Sequence, residues 1–138
     1  MQKIENFSRS LAVLMQADKT IAIRDDIYRM GVIGQFNLTF ELAWKALKST
    51  LLIYGVDAAK TGSPREVLKE GYGAGFLQDA DIWLDMMRQR NTAVHVYDFN
   101  MANELINLIF ADYIPAFARL LATLQEKCVA IQSTPSSF

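Results

Sequence analysis

The sequence predicts an all-α protein, an antiparallel up-and-down bundle of four to five helices that forms a homodimer. Three observations carry this. Apolar residues recur at helical spacing almost throughout. No alternating period-two stretch of useful length appears, so no sheet is expected. The last long apolar segment is coated around much of its girth, which makes that helix either central or shared with a second subunit. The 138 residues, 51% of them apolar, suffice for one real core and exclude disorder for most of the chain.

The elements follow in order. Phe7, Leu11 and Leu14 line one side of a first helix, about Lys3 to Gln16. Ile33, Asn37, Phe40, Trp44, Leu47, Leu51 and Tyr54 alternate steps of four and three and make the clearest helical seam. Asn37 interrupts it with an amide that needs a partner if buried. Trp44 and Trp83 read as core, and Gly55 as a C-terminal stop. In Ser63-Pro64-Arg65-Glu66 the serine caps, the proline suits the first turn and the glutamate completes a capping box. That short helix ends at Gly71-Tyr72-Gly73-Ala74-Gly75. Asp79 is expected to open and cap the next helix, which turns Ile82, Trp83, Met86 and Met87 inward and runs into the Arg90 to His95 region. The last helix runs from near Asn100 to about Glu126, with a kink expected at Pro115. One domain is therefore expected over residues 1–126, with a frayed tail over 127–138.

Composition removes several classes of function. A formal net charge of −1 means that any RNA contact must be local. One histidine and one cysteine, Cys128, cannot supply a typical zinc centre or an internal disulfide, so no metal site is assigned, although a carboxylate-only magnesium site stays open. The single cysteine suits a reducing cytoplasm. No apolar run reads as long enough to cross a bilayer, and Leu11-Ala12-Val13-Leu14-Met15 lacks the cleavage signal of a secretory leader.

The motifs are of unequal weight. Gly71, Gly73 and Gly75 lack the preceding strand and the lysine of a phosphate loop. Gly62-Ser63 followed by Asp79-Ala80-Asp81 superficially matches a polymerase-beta-type transferase signature, but helix caps explain both parts more simply. Glu41, Lys45 and Lys48 read most simply as a solvated helix face, and functionally as a face for another protein. Arg90-Asn91-Thr92-Ala93-Val94-His95-Val96-Tyr97 contains the only histidine. A permanent cation beside a group that exchanges protons near neutral pH suits metal-free chemistry on a phosphate. On spacing alone, two cations at a helix C-terminus are the simpler reading.

Taken together, Phe36-Asn37-Leu38-Thr39-Phe40-Glu41-Leu42-Ala43-Trp44-Lys45, Ser63-Pro64-Arg65-Glu66, Trp83-Leu84-Asp85-Met86 and Arg90-Asn91 to His95-Val96-Tyr97-Asp98 resemble the nucleotidyltransferase substrate-binding protein family, whose relatives belong to the HEPN superfamily. The resemblance covers nearly the whole chain apart from the tail. Asn37 departs from it, since glutamate is common there. The resemblance implies a dimerising four- or five-helix bundle. It also implies a separately encoded minimal nucleotidyltransferase that carries the nucleotide and Mg, so this chain needs no cofactor of its own. Glu41, Lys45 and Arg65 are the candidates for the partner or substrate surface.

In many HEPN proteins the Arg-x4-His motif is a metal-independent ribonuclease site, and the pair behaves as toxin and antitoxin. In some pairs the partner adenylylates the tyrosine of Arg-x4-His-x-Tyr. Arg90, His95 and Tyr97 fill those positions. Arg90 would steady the phosphate and His95 would act as base or acid. Asn91 has two readings, orienting substrate or His95 and capping the helix. A dimer would bring two copies of the segment together, and adenylylated Tyr97 would block RNA. The primary expectation is a binding subunit, and the alternative is a ribonuclease toxin held in check by its partner.

Overall fold

The computed structural model describes residues 2–93 and 98–133, with side chains for 2–90 and 98–131. Among these, the regular elements are all helical. They are α1 (Gln2–Met15), α2 (Lys19–Arg24), α3 (Asp26–Ile53), a 3-10 turn at Asp57–Ala59, α4 (Pro64–Gly73), α5 (Ala80–Ala93), α6 (Phe99–Leu108), a π-turn at Ile109–Tyr113 and α7 (Ile114–Ser133).

The all-helical expectation holds, but the centre of the molecule is α3. Helices α1, α2, α4, α5, α6 and α7 all pack on it. Its buried residues, among them Val32, Ile33, Phe36, Phe40, Ala43, Leu47 and Leu51, lie closer to the helical ideal than the seam expected from sequence. Trp44, expected in the core, is only half-buried at its edge, and Tyr54 is exposed. The Tyr54 hydroxyl instead donates to the Lys127 carbonyl at 2.8 Å.

The short α2 was not anticipated. Asp18 caps it, accepting from the Ile21 amide at 3.1 Å. Asp25 ends it in extended backbone and caps α3 by accepting from the Tyr28 amide at 2.8 Å. One extended residue therefore separates two helices that pattern alone would join. Arg29, 4% exposed, turns back from α3 and donates to the Ala22 and Ile23 carbonyls at 3.2 and 3.1 Å. Its charge is balanced by Asp26, and its guanidinium lies 4.9 Å from the Phe99 ring centroid.

An aromatic cluster locks the helices together. Phe36 stacks on Tyr113 at 5.3 Å, and Trp83 meets Phe117 edge-on at 5.5 Å. Phe40 lies 6.2 Å from Trp83, which fixes the middle of α5 against α3. The expected cap at Ser63 is present, with Pro64 in the first turn. Gly55 takes a φ of 82° just past α3, as a stop requires.

Asp79 differs from expectation. Its backbone carbonyl opens α5 by accepting from the Trp83 amide at 3.2 Å, but its carboxylate turns to Arg119 on α7, 3.1 Å from Nε. The cap expected of that side chain is thus replaced by a clamp between α5 and α7. Pro115 lies just past the π-turn. Proline lacks an N–H and crowds the carbonyl four residues back, and the wider turn accommodates both.

Helix α7 continues to Ser133, past the end expected at Glu126, so the tail expected from residue 127 is helical to that point. Lys127 anchors it, lying 5.8 Å from the Tyr54 ring centroid and 5.2 Å from that of Phe76. The helical run Phe99–Ile131 is, by length and mean hydropathy, long and apolar enough to cross a membrane, contrary to expectation. Its Leu105, Ile106, Ile109, Tyr113, Phe117, Leu120 and Leu124 are buried in the core, and 39% of its most apolar window is buried.

Candidate functional site

Arg90 lies in the last turn of α5, where a cation suits the negative helix end. Its guanidinium forms an ion pair with Glu41 on α3 and lies 5.2 Å from the Phe40 ring centroid. The same Phe40 packs on Trp83, so the core that holds α5 to α3 also sets the position of Arg90. Both ends of the pair stay partly open, at 23% exposure for Arg90 and 34% for Glu41.

Glu41 is a hub. Its Oε2 accepts from the Trp44 indole N–H at 3.2 Å and lies 3.9 Å from Lys45 Nζ. Lys45 Nζ is 5.9 Å from the Trp44 ring centroid. One carboxylate thus faces an indole donor and two cations. One turn earlier, Asn37 buries its Oδ1 with no hydrogen-bond partner among the described residues. Asn37, Glu41 and Lys45 fall four residues apart and form one polar line along α3.

A second polar contact lies on the other side of α5. The buried Tyr113 hydroxyl, on the π-turn, donates to Asp85, which also accepts from Arg88 at 2.9 Å. The Tyr113 hydrogen bond, aided by Arg88 and opposed by partial burial, holds the Asp85 carboxyl below the usual carboxylate range. Burial, followed by the hydrogen bond and charge of Asp85, pushes the Tyr113 phenol above its ordinary value of 10.0.

The structure therefore brings together three of the residues picked from sequence, Glu41, Lys45 and Arg90. Arg65 is apart from them, exposed in the first turn of α4. Asn91 lies within α5, but its side chain is outside the described residues, as are His95 and Tyr97 altogether. Sequence reasoning missed Phe40 and Trp44 as walls of the site, and Tyr113 as the partner of Asp85. The Phe40-Glu41 to Trp44-Lys45 repeat at four-residue spacing was the available signal for the first two. Among the described residues, no group of three or more His, Cys, Asp or Glu side chains is arranged to hold a metal ion.

Comparison with known proteins decides the family. Residues 2–126 match the family described as nucleotidyltransferase substrate binding protein like. The chain belongs to that family. Among solved structures, this substrate-binding-protein-like chain is similar to HI0074 from Haemophilus influenzae, described as revealing the fold of a substrate-binding domain of a nucleotidyltransferase. The TM-score is 0.75 at 22% identity, over 88% of this chain and 98% of that one. It is also similar to a protein from Thermus thermophilus, with a TM-score of 0.63 at 26% identity over 88% of this chain and 97% of that one. No curated protein gives a significant match.

Proposed function

We propose that this chain is the substrate-binding subunit of a two-component nucleotidyltransferase, and that it docks a separately encoded minimal transferase supplying the nucleotide and Mg. The observation that carries this reading is the family match over residues 2–126. The convergence of Glu41, Lys45 and Arg90 on one partly open face supports a docking surface there. A face with both signs of charge and a half-buried indole suits a protein partner, because complementary charges set orientation and the aromatic supplies buried area. The test is co-purification with the minimal transferase encoded nearest to this chain. A stable complex that weakens at least tenfold on Glu41→Ala and Lys45→Ala is expected, and no complex at all would refute the reading.

A second reading starts from Arg90, which Glu41 and Phe40 position on a partly open face. In it, Arg90 and His95 cleave RNA without a metal, with the RNA 2′-hydroxyl attacking the adjacent phosphate across a homodimer. Adenylylation of Tyr97 by the partner silences the site. Exposed apolar side chains on α3, Ile27 at 86% and Leu38 at 49%, support self-association. His95→Ala is expected to abolish growth inhibition without unfolding the protein. Equal toxicity of wild type and variant would overturn the ribonuclease reading, and label from ATP retained in Tyr97→Phe would overturn the assignment of the modified residue.

A further inference from the structure

We infer that the groove between α4 and α5 binds a nucleoside monophosphate or a molecule of that chemistry, with a phosphate on Arg65 and Lys69 and a planar ring on Tyr72. The half-open groove has a volume of about 350 Å³ and is lined by Arg65, Glu66, Leu68, Lys69, Tyr72, Ala80 and Leu84. That volume falls at the low end of small-molecule sites, which run from roughly 300 to 1,000 Å³. Arg65, Leu68, Lys69 and Tyr72 sit at steps of three and four along α4 and so share one face.

Three features point to an anion. Neither Arg65 nor Lys69 makes an ion pair among the described residues, whereas Arg90 is held by a carboxylate. The two cations are four residues apart, a spacing at which like charges repel. Arg65 also lies in the first turn of a ten-residue helix, at the positive end of the helix dipole. Glu66 also lines the groove, so that among the described residues two cations face one acid there. A bound phosphate relieves both the mutual repulsion and the conflict with the dipole.

The remaining lining defines the rest of the ligand. Tyr72 is 57% exposed although aromatic, and stands one turn beyond Lys69. Leu68 is buried, and Leu84 is half-buried across the groove on α5, giving an apolar floor beside the two cations. A ring stacked on Tyr72 over this floor, with its phosphate toward Arg65 and Lys69, uses the aromatic, apolar and cationic walls of the groove. A polycation finds the wrong sign there.

This inference rests on the substrate-binding reading for its biological meaning, since it names that substrate's class. Its test does not involve the transferase, so the two can fail separately. Calorimetric titration of the full chain with adenosine 5′-monophosphate, adenosine, inorganic phosphate and a polyglutamate peptide distinguishes the possibilities. The nucleotide is expected to bind best, and more weakly as salt rises. Arg65→Ala with Lys69→Ala is expected to weaken it at least tenfold, and Tyr72→Ala to reduce it to the level of inorganic phosphate. All three side chains are exposed, so unchanged thermal melting should confirm that the variants fold. Equal nucleotide affinity in wild type and the double variant would overturn the inference. So would stronger binding of the peptide, or no nucleotide binding by the folded wild type. Lack of a complex with the transferase would instead remove the substrate-binding reading and leave the groove standing.

Discussion

Glu41 and Tyr113 are the two side chains whose loss is most informative. Glu41 is partly exposed, so its ion pairs contribute little to folding, about 0–1 kcal/mol. Glu41→Ala is therefore expected to leave the melting temperature nearly unchanged while weakening partner capture, a separation that a structural role alone would not give. Tyr113 behaves in the opposite way. Tyr113→Phe removes a hydrogen bond to a charged acceptor and is expected to cost about 1.5–3 kcal/mol in denaturant unfolding.

The same contact predicts two pH limits. The Asp85 carboxyl is depressed in the folded state, so its contribution is present above pH ~4 and lost as pH falls through the lower folded value. The Tyr113 phenol is raised, so its contribution is present below pH ~10 and lost as pH rises beyond that toward the folded value. Thermal melting followed across pH should show both losses in the wild type. The alkaline loss should shrink in Tyr113→Phe and the acid loss in Asp85→Asn.

Among the elements, α4 shows how closely the helices approach. A Cβ on Gly71 would lie 2.8 Å from a methyl carbon of Leu47, which is wholly buried. Gly71→Val is expected to cost about 1–3 kcal/mol through overpacking. Gly73→Ala, two residues on with open space around it, should instead be neutral or stabilise by up to ~1 kcal/mol. Urea unfolding of the two variants checks this contrast. The helical elements were legible because their apolar spacing, the Ser63 cap and the Gly55 stop are local signals. The break at Asp25 was not, since its capping hydrogen bond is invisible in a hydrophobic pattern. Nor was the turn of Asp79 toward Arg119, a partner forty residues away. The site was legible in part. Glu41 and Lys45 advertised themselves as a charged helical pair, whereas the link from Arg90 to Glu41 depends on how Phe40 and Trp83 pack, which no spacing encodes.

For the whole molecule, the prediction concerns assembly. Ile27, Met30 and Leu38 leave an apolar strip of α3 facing outward although the rest of that helix is the hub of the core. If this strip carries the proposed self-association, Ile27→Asp with Leu38→Asp is expected to lower the mass seen in light scattering to that of a monomer, with helical content preserved because neither residue is buried. An unchanged mass would place self-association on another face, and a wild-type monomer would count against a ribonuclease site shared between two copies of the chain.

The three-way grip of Glu41 gives the protein a built-in optical gauge. An anion that captured Arg90 would draw it from the carboxylate and leave Glu41 with Trp44 and Lys45. Of the two tryptophans, Trp83 is sealed in the interior, whereas Trp44 touches both water and the contested charge. Intrinsic emission from Trp44, read in a Trp83→Phe background, should therefore shift whenever Arg90 changes allegiance, with no dye or label added.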